Sequence, residues 1–167
     1  MIDKVDIEGT NYNDALTEQG ILEEKHNMNI AESVIPLFSF PSLGYIVEYG
    51  SWRGSVIDIL SKLYGTERVL GFDISNFTDH PQIHAVDVRL ISGNSLFKMP
   101  IALAWNDLSE WNGSPAGKQA AFDHAMNNMV NDGIFIEHKK CPEYIHNHPN
   151  LTLIHNTKHL LFFRYNE

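Results

Sequence analysis

Residues 45–74 constrain this chain more than any other stretch. Tyr45-Ile46-Val47-Glu48-Tyr49 is rich in β-branched and aromatic side chains, the composition of a buried strand. Gly50-Ser51-Trp52-Arg53-Gly54 follows as a tight turn. Val56, Ile59, Leu60 and Leu63 then recur at helical spacing, and Gly65 stands where a C-cap glycine stands. Residues 68–74 form a second apolar run containing Gly71-Phe72-Asp73. Strand, turn, helix and strand together take about 30 residues, the length of a parallel crossover. Such a unit commits the chain to a sheet with helices packed on its faces.

The remaining pattern extends that sheet. Residues 86–91 alternate and stop at Ser92-Gly93-Asn94-Ser95, which predicts a third strand after a loop over 75–85. Residues 101–105 are a continuous apolar run, the mark of a central strand, and 134–137 give a fifth. Between them, 118–130 place Ala121, Phe122, Ala125, Met126, Met129 and Val130 on one helical face, stopped by Asn131-Asp132-Gly133. Residues 151–154 and 160–165 are joined by a short linker and predict an antiparallel hairpin. A helical stretch within 19–40, limited by Pro36 and Pro41, sets Ile30, Val34, Leu37 and Phe38 against the sheet. The expected architecture is α/β, a mainly parallel seven-stranded sheet with a C-terminal antiparallel hairpin and helices on both faces. Residues 1–40 form an arm and covering helix, and 41–167 a minimal α/β domain, one domain overall at 167 residues.

Composition removes several function classes. The chain has 12 Lys+Arg against 21 Asp+Glu, a formal charge of −9, which counts against coating a nucleic acid. Cys141 is the single cysteine, so neither an intramolecular disulfide nor a thiolate zinc site is available, in keeping with a reducing, cytoplasmic setting. Met1-Ile2-Asp3-Lys4-Val5-Asp6 is too acidic and interrupted for a signal peptide, and no run approaches 18 apolar residues, so no membrane span is expected.

In sheets of this kind ligands bind beyond the carboxyl ends of the strands, where strand order reverses. Four predicted strand ends carry polar residues: Glu48 to Gly54, Asp73, Asn106-Asp107 and Glu137-His138. Glycines at 50 and 54 let a backbone approach a ligand, and the helix start behind them favours negative charge. A carboxylate at Asp73 can accept both hydroxyl protons of a ribose. The combination reads as a nucleoside site.

Glu48-Tyr49-Gly50-Ser51-Trp52-Arg53-Gly54 followed by Gly71-Phe72-Asp73 resembles the S-adenosylmethionine (SAM) site of class I methyltransferases. Their first motif is acidic-x-Gly-x-x-x-Gly and their second strand ends in an acid. Ile91-Ser92-Gly93-Asn94-Ser95 resembles the third-strand turn of small-molecule O-methyltransferases, which contacts adenine. With Arg53 and Ser55 in place, the turn is most similar to antibiotic-sugar O-methyltransferases of the macrocin (TylF) type and the cephalosporin-hydroxylase-like group. The resemblance spans about residues 30–165. It implies a Rossmann-like SAM-methyltransferase fold and methyl transfer to a small-molecule acceptor, at oxygen. It also implies site roles. Gly50, Ser51 and Gly54 line the methionine part of SAM, Glu48 orients that loop or reaches the amine indirectly, and Arg53 meets the carboxylate. Asp73 holds the ribose, Asn94 and Ser95 meet the adenine, and Asn106 and Asp107 face the sulfonium and the acceptor.

An oxygen nucleophile must lose a proton, and two routes stay open. Asp107, Glu137 and His138 could hold a divalent metal such as Mg, or His138 or Asp107 could act as a general base without one. Glu-His stands where related enzymes carry an acidic pair. A nicotinamide site lacks its middle glycine, and no Gly-x-x-x-x-Gly-Lys loop exists. Trp105-Asn106-Asp107-Leu108 replaces the Asn/Asp-Pro-Pro-aromatic motif of enzymes that methylate nucleic-acid amines. Trp52 and Trp111 are candidate pocket walls. His80 and His84 read as solvated or capping groups, His146 and His148 as a weak metal spacing, and Cys141 as an inert thiol. The connection before the third strand is short and no substrate lid is evident, so a homodimer or the first 40 residues would complete the pocket. A noncatalytic binding module on the same fold, or SAM use without methyl transfer, are the competing readings.

Overall fold

Seven strands assemble into one sheet in the order β3-β2-β1-β4-β5-β7-β6. The computed structural model describes residues 18–74, 78–109 and 115–167. The strands are β1 (Tyr45–Tyr49), β2 (Val69–Asp73), β3 (Ile83–Ala85), β4 (Ile101–Asn106), β5 (Met129–His138), β6 (Leu151–Asn156) and β7 (Leu160–Tyr165). The helices are α1 (Glu18–Asn29), α2 (Ser55–Tyr64), α3 (Pro115–Asn128) and the short α4 (Glu143–His146). β1 pairs in parallel with both β2 and β4, and β7 runs antiparallel between β5 and β6. The chain leaves β1 toward β2 and β3, then returns to the other side of β1 as β4. The crevice of this fold therefore lies over the carboxyl ends of β1 and β4.

Strand alternation divides the core in two. Ile46, Leu103, Trp105, Ile136 and Phe162 point to one face, under Ile30 and Ala31 and under Val56, Ile57 and Leu60 of α2. Val47, Tyr49, Ala104, Phe135 and Phe163 point to the other, under Ala121, Phe122 and Ala125 of α3 and Ile145 of α4. The same parity decides which way each polar strand end looks.

Three expectations change. The third strand is Ile83–Ala85, not 86–91, with Ile83 paired to Gly71 and Ala85 to Asp73. Asp87 accepts from the Arg89 backbone N–H (3.0 Å) and pairs with its guanidinium (2.6 Å), turning Val88–Leu90 into a 3₁₀ turn. That local bond satisfies the backbone without a ladder. β5 starts at Met129, so Met129 and Val130 leave the predicted helix, and Asn131-Asp132-Gly133 is an irregularity inside the strand. α1 runs on as a π turn (Ile30–Val34) and a 3₁₀ turn (Ile35–Leu37), which buries Ile30 and Ile35 but leaves Leu37 exposed. The polar arm falls outside the described residues up to position 17. Among the described residues no helix is long and apolar enough to cross a membrane.

Candidate functional site

The turn between β1 and α2 is built on backbone that favours glycine. Gly50 and Gly54 both have φ of +85°, and Trp52 joins them in the left-handed region at +47°. A Cβ at Gly54 would lie 2.6 Å from His80 Cδ2, so bulk as well as conformation selects glycine there. Gly50 N–H donates to the Phe72 carbonyl (2.7 Å), and Ser51 Oγ donates to the Glu48 carbonyl (2.9 Å), which locks the turn to β1 and β2. Asp73, at the end of β2, accepts from the Trp52 backbone N–H at 2.7 Å. The predicted methionine and ribose positions thus form one connected unit.

Glu48 of β1, Asp73 of β2 and Asp107, the residue after β4, lie at neighbouring strand ends and are all buried. Burial pushes the Glu48 carboxyl well above its ordinary range, and the charges of Asp107, Asp73 and Glu24 add to that effect. Glu48 Oε2 has no hydrogen-bond partner among the described residues. A buried acceptor in this state favours a ligand that brings a donor or a positive charge.

α1 supplies two residues that the sequence motifs did not include. Glu24 accepts from Ser55 Oγ and pairs with the Arg53 guanidinium, which also lies 4.2 Å over the Trp52 ring. Arg53, expected to meet a ligand carboxylate, is thus engaged by α1. Asn27 donates from Nδ2 to Asp107 Oδ1 (3.1 Å), and its own Oδ1 has no partner among the described residues. Glu24 and Asn27 lie three positions apart, hence on one helix face. A polar pair on a face expected to be buried was the available signal.

Asn106 and Asp107 part company. Asn106 faces the α3 side and donates to Glu137 Oε2 (2.9 Å) and the Lys118 carbonyl (3.4 Å). Glu137 is fully buried and also accepts from the His138 backbone N–H at 2.8 Å. Asp107 and His138 belong to the α1 side. Because neighbouring strand residues point to opposite faces, Asp107, Glu137 and His138 are not gathered around one point. Among the described residues no group of three or more His, Cys, Asp or Glu could hold a metal ion. The expected Mg trio does not fit this arrangement.

His138 accepts from the Lys140 backbone N–H on Nδ1 (3.2 Å). A neutral ring held that way carries its proton on Nε2 and acts as a donor, not a base. Its ring stacks on His159 (6.4 Å between centroids), whose ring meets His26 of α1 edge-on (5.0 Å).

Asn94 and Ser95 are exposed, and Asn94 Oδ1 caps the Ser95–Phe97 turn by accepting from Leu96 N–H (3.0 Å). With β3 ending at Ala85, the residues that follow the third strand are Val86-Asp87-Val88. On the other side of β1, Tyr49 OH donates to His124 Nδ1 (2.7 Å), and His124 Nε2 donates to the Phe97 carbonyl (2.9 Å). Both side chains are buried, and burial holds His124 below its ordinary pKa. His84 is exposed, as expected, whereas the largely covered His80 pairs with Asp58 at 2.8 Å. His146 meets Cys141 Sγ at 3.3 Å, and burial together with the Glu137 charge pushes that thiol up to about 11. Trp111 lies outside the described residues.

No protein-family model matches the chain, and no curated protein does. Solved structures do. The N-methyltransferase NodS from Bradyrhizobium japonicum WM9, in complex with S-adenosyl-L-homocysteine (SAH), superposes with a TM-score of 0.57 at 11% identity, over 95% of this chain and 93% of that one. The Burkholderia thailandensis 1,6-didemethyltoxoflavin-N1-methyltransferase, with 1,6-didemethyltoxoflavin and SAH bound, gives 0.61 at 14% identity, over 93% and 84%. The O-methyltransferase NovP gives 0.54 at 11% identity, over 88% and 81%. The chain has the Rossmann-like fold that these methyltransferases share.

Proposed function

We propose that the protein is a SAM-dependent methyltransferase acting on a small-molecule acceptor, with oxygen as the atom methylated. The observation that carries this reading is the joined unit at the carboxyl ends of β1 and β2. There Gly50 and Gly54 hold a left-handed turn, Asp73 anchors it, and Glu48 keeps a buried oxygen without a partner. These residues fit SAM: Gly50, Ser51 and Gly54 along its methionine part, Asp73 at the ribose, Glu48 toward the amine. The residues after β3, 86–88, replace Asn94 and Ser95 at the adenine. Bound there, SAM supplies a methyl group on a positively charged sulfur, so the protein's task is mainly alignment.

Asp107 is the candidate base for the acceptor hydroxyl. Its carboxylate sits at the end of β4, oriented by Asn27. His138, donating from Nε2, would orient the acceptor instead of taking its proton. Calorimetry with SAM and SAH tests the reading: micromolar binding by the wild type, lost in Asp73→Ala, is the expected result, and absence of binding by the wild type overturns it.

A noncatalytic binding role on the same fold is the competing reading. It is favoured by the short β2–β3 connection, which holds no α-helix among the described residues. Methylated product from an acceptor screen, dependent on Asp107, decides against it. Mass spectrometry of SAM incubated with the protein alone distinguishes cleavage from transfer.

A further inference from the structure

Arg53 is the one basic residue of the turn between β1 and α2, and a residue of α1 already engages it. The Glu24 carboxylate pairs with the Arg53 guanidinium and accepts from Ser55 Oγ, so a carboxylate bridges the turn and the first residue of α2. The Trp52 ring, 4.2 Å from the guanidinium, holds that cation at the turn. The Arg53 side chain is 41% exposed and that of Glu24 only 12%. A ligand arriving from solvent therefore meets Arg53 before it meets Glu24.

Glu24 is free to give way. The turn of α1 that carries it has no buried apolar side chain among the described residues: Ile21 and Leu22 are exposed, and apolar burial begins at Ile30 in the π turn. A segment with so little buried apolar surface opens at low cost. Asn27 lies near the anchored end, so its bond to Asp107 can persist while residue 24 moves. Glu24 also lies close enough to Glu48 for the two charges to repel. A second carboxylate brought to Arg53 repels Glu24 in the same way, so the two compete for one guanidinium.

We propose that Arg53 and Ser55 form a carboxylate site for the amino-acid arm of the cofactor, and that Glu24 is a built-in competitor which the bound ligand displaces. The identity of the ligand rests on the methyltransferase reading; the competition rests on the contacts of Glu24. One carboxylate replaces another, so the charge balance at Arg53 is unchanged. The apparent affinity is lowered by the fraction of molecules in which Glu24 holds the site.

The experiment is calorimetry of the full chain with SAH and with 5′-methylthioadenosine, which keeps the nucleoside and the sulfur but lacks the amino-acid arm. Glu24→Gln and Glu24→Ala should each bind SAH about tenfold more tightly than wild type, the scale of one charge-assisted hydrogen bond. Their affinity for 5′-methylthioadenosine should stay within about twofold of wild type. Arg53→Met should bind SAH more weakly, and Glu24→Ala should bring no gain in the Arg53→Met background. A gain in affinity requires a folded site, so a folding defect cannot imitate the expected result. SAH affinity at or below that of wild type in both Glu24 variants, an equal gain for 5′-methylthioadenosine, or a gain that persists without Arg53 overturns the inference. Each of those outcomes leaves the methyltransferase reading standing, because wild-type SAH binding carries it. Absence of SAH binding by every protein in the series overturns both.

Discussion

Asn27 of α1 holds Asp107 at the end of β4: Nδ2 donates to Oδ1 at 3.1 Å across a sequence separation of 80, with both side chains buried. The contact ties a helix outside the recognisable motifs to the residue proposed as the base. Asn27→Ala removes a donor from a buried carboxylate, which costs about 1–3 kcal/mol. It should lower Tm and, in an acceptor assay, reduce kcat more than it raises KM for SAM. Asn27→Asp should be worse than Asn27→Ala, because it sets a second carboxylate beside Asp107. Equal effects of the two variants would contradict this contact.

Glu48 makes stability depend on pH in a defined direction. Its folded pKa is raised, first by burial and then by Asp107, Asp73 and Glu24. The folded state therefore holds the proton more tightly than the unfolded one. Its contribution is complete below the ordinary carboxylate pKa and is lost as pH rises toward the folded value. Glu48→Gln removes the liability, so its apo form should melt roughly 2–4 °C higher than wild type at pH 8, with a smaller gap at pH 4. The same variant should bind SAH more weakly. Thermal melts at both pH values and calorimetry check the two halves.

Tyr49 of β1 and His124 of α3 form a buried polar pair. Tyr49→Phe keeps the packing but leaves His124 Nδ1 unsatisfied, at a cost of about 1–3 kcal/mol. Burial lowers the His124 pKa, so its contribution is present above the ordinary imidazole value and is lost as pH falls through the folded one. Urea titrations should show a steeper loss of wild-type stability below pH 6 than in a His124→Asn variant.

Gly54→Ala meets both a left-handed backbone and a contact of 2.6 Å with His80. The conformational part costs about 1–2 kcal/mol. The turn should shift enough to abolish SAH binding while the protein remains folded by circular dichroism. Gly54→Ala with His80→Ala relieves the contact but not the backbone, so stability should recover in part and SAH binding should not.

The β1-turn-α2-β2 unit was legible because its information is local. Buried strands, helical periodicity and a glycine-bracketed turn all lie within 45–74, and Gly50, Gly54 and Asp73 are joined there by short-range bonds. The third strand was not legible in the same way. Residues 86–91 alternate as a strand would, but the Asp87–Arg89 pair offers the backbone a local alternative. Ile83 instead pairs with Gly71, a choice made by packing at the sheet edge. His124 gave no signal because nothing in α3 announces that Tyr49 lies 2.7 Å away.

Residue order alone determined the α/β class, the carboxyl-end location of the site and the two glycines and acid that shape it, because hydrophobic period and turn chemistry are properties of neighbours in the chain. Only the tertiary structure decided which polar strand ends meet. Asn106 and Asp107 are consecutive, as are Glu137 and His138, yet the strand pleat sends them to opposite faces. Asn106 and Glu137 bond each other on the α3 side, while Asp107 faces Asn27 of α1 and His138 packs against His159. That division removed the expected metal trio, because it sets Asp107 and His138 apart from Glu137.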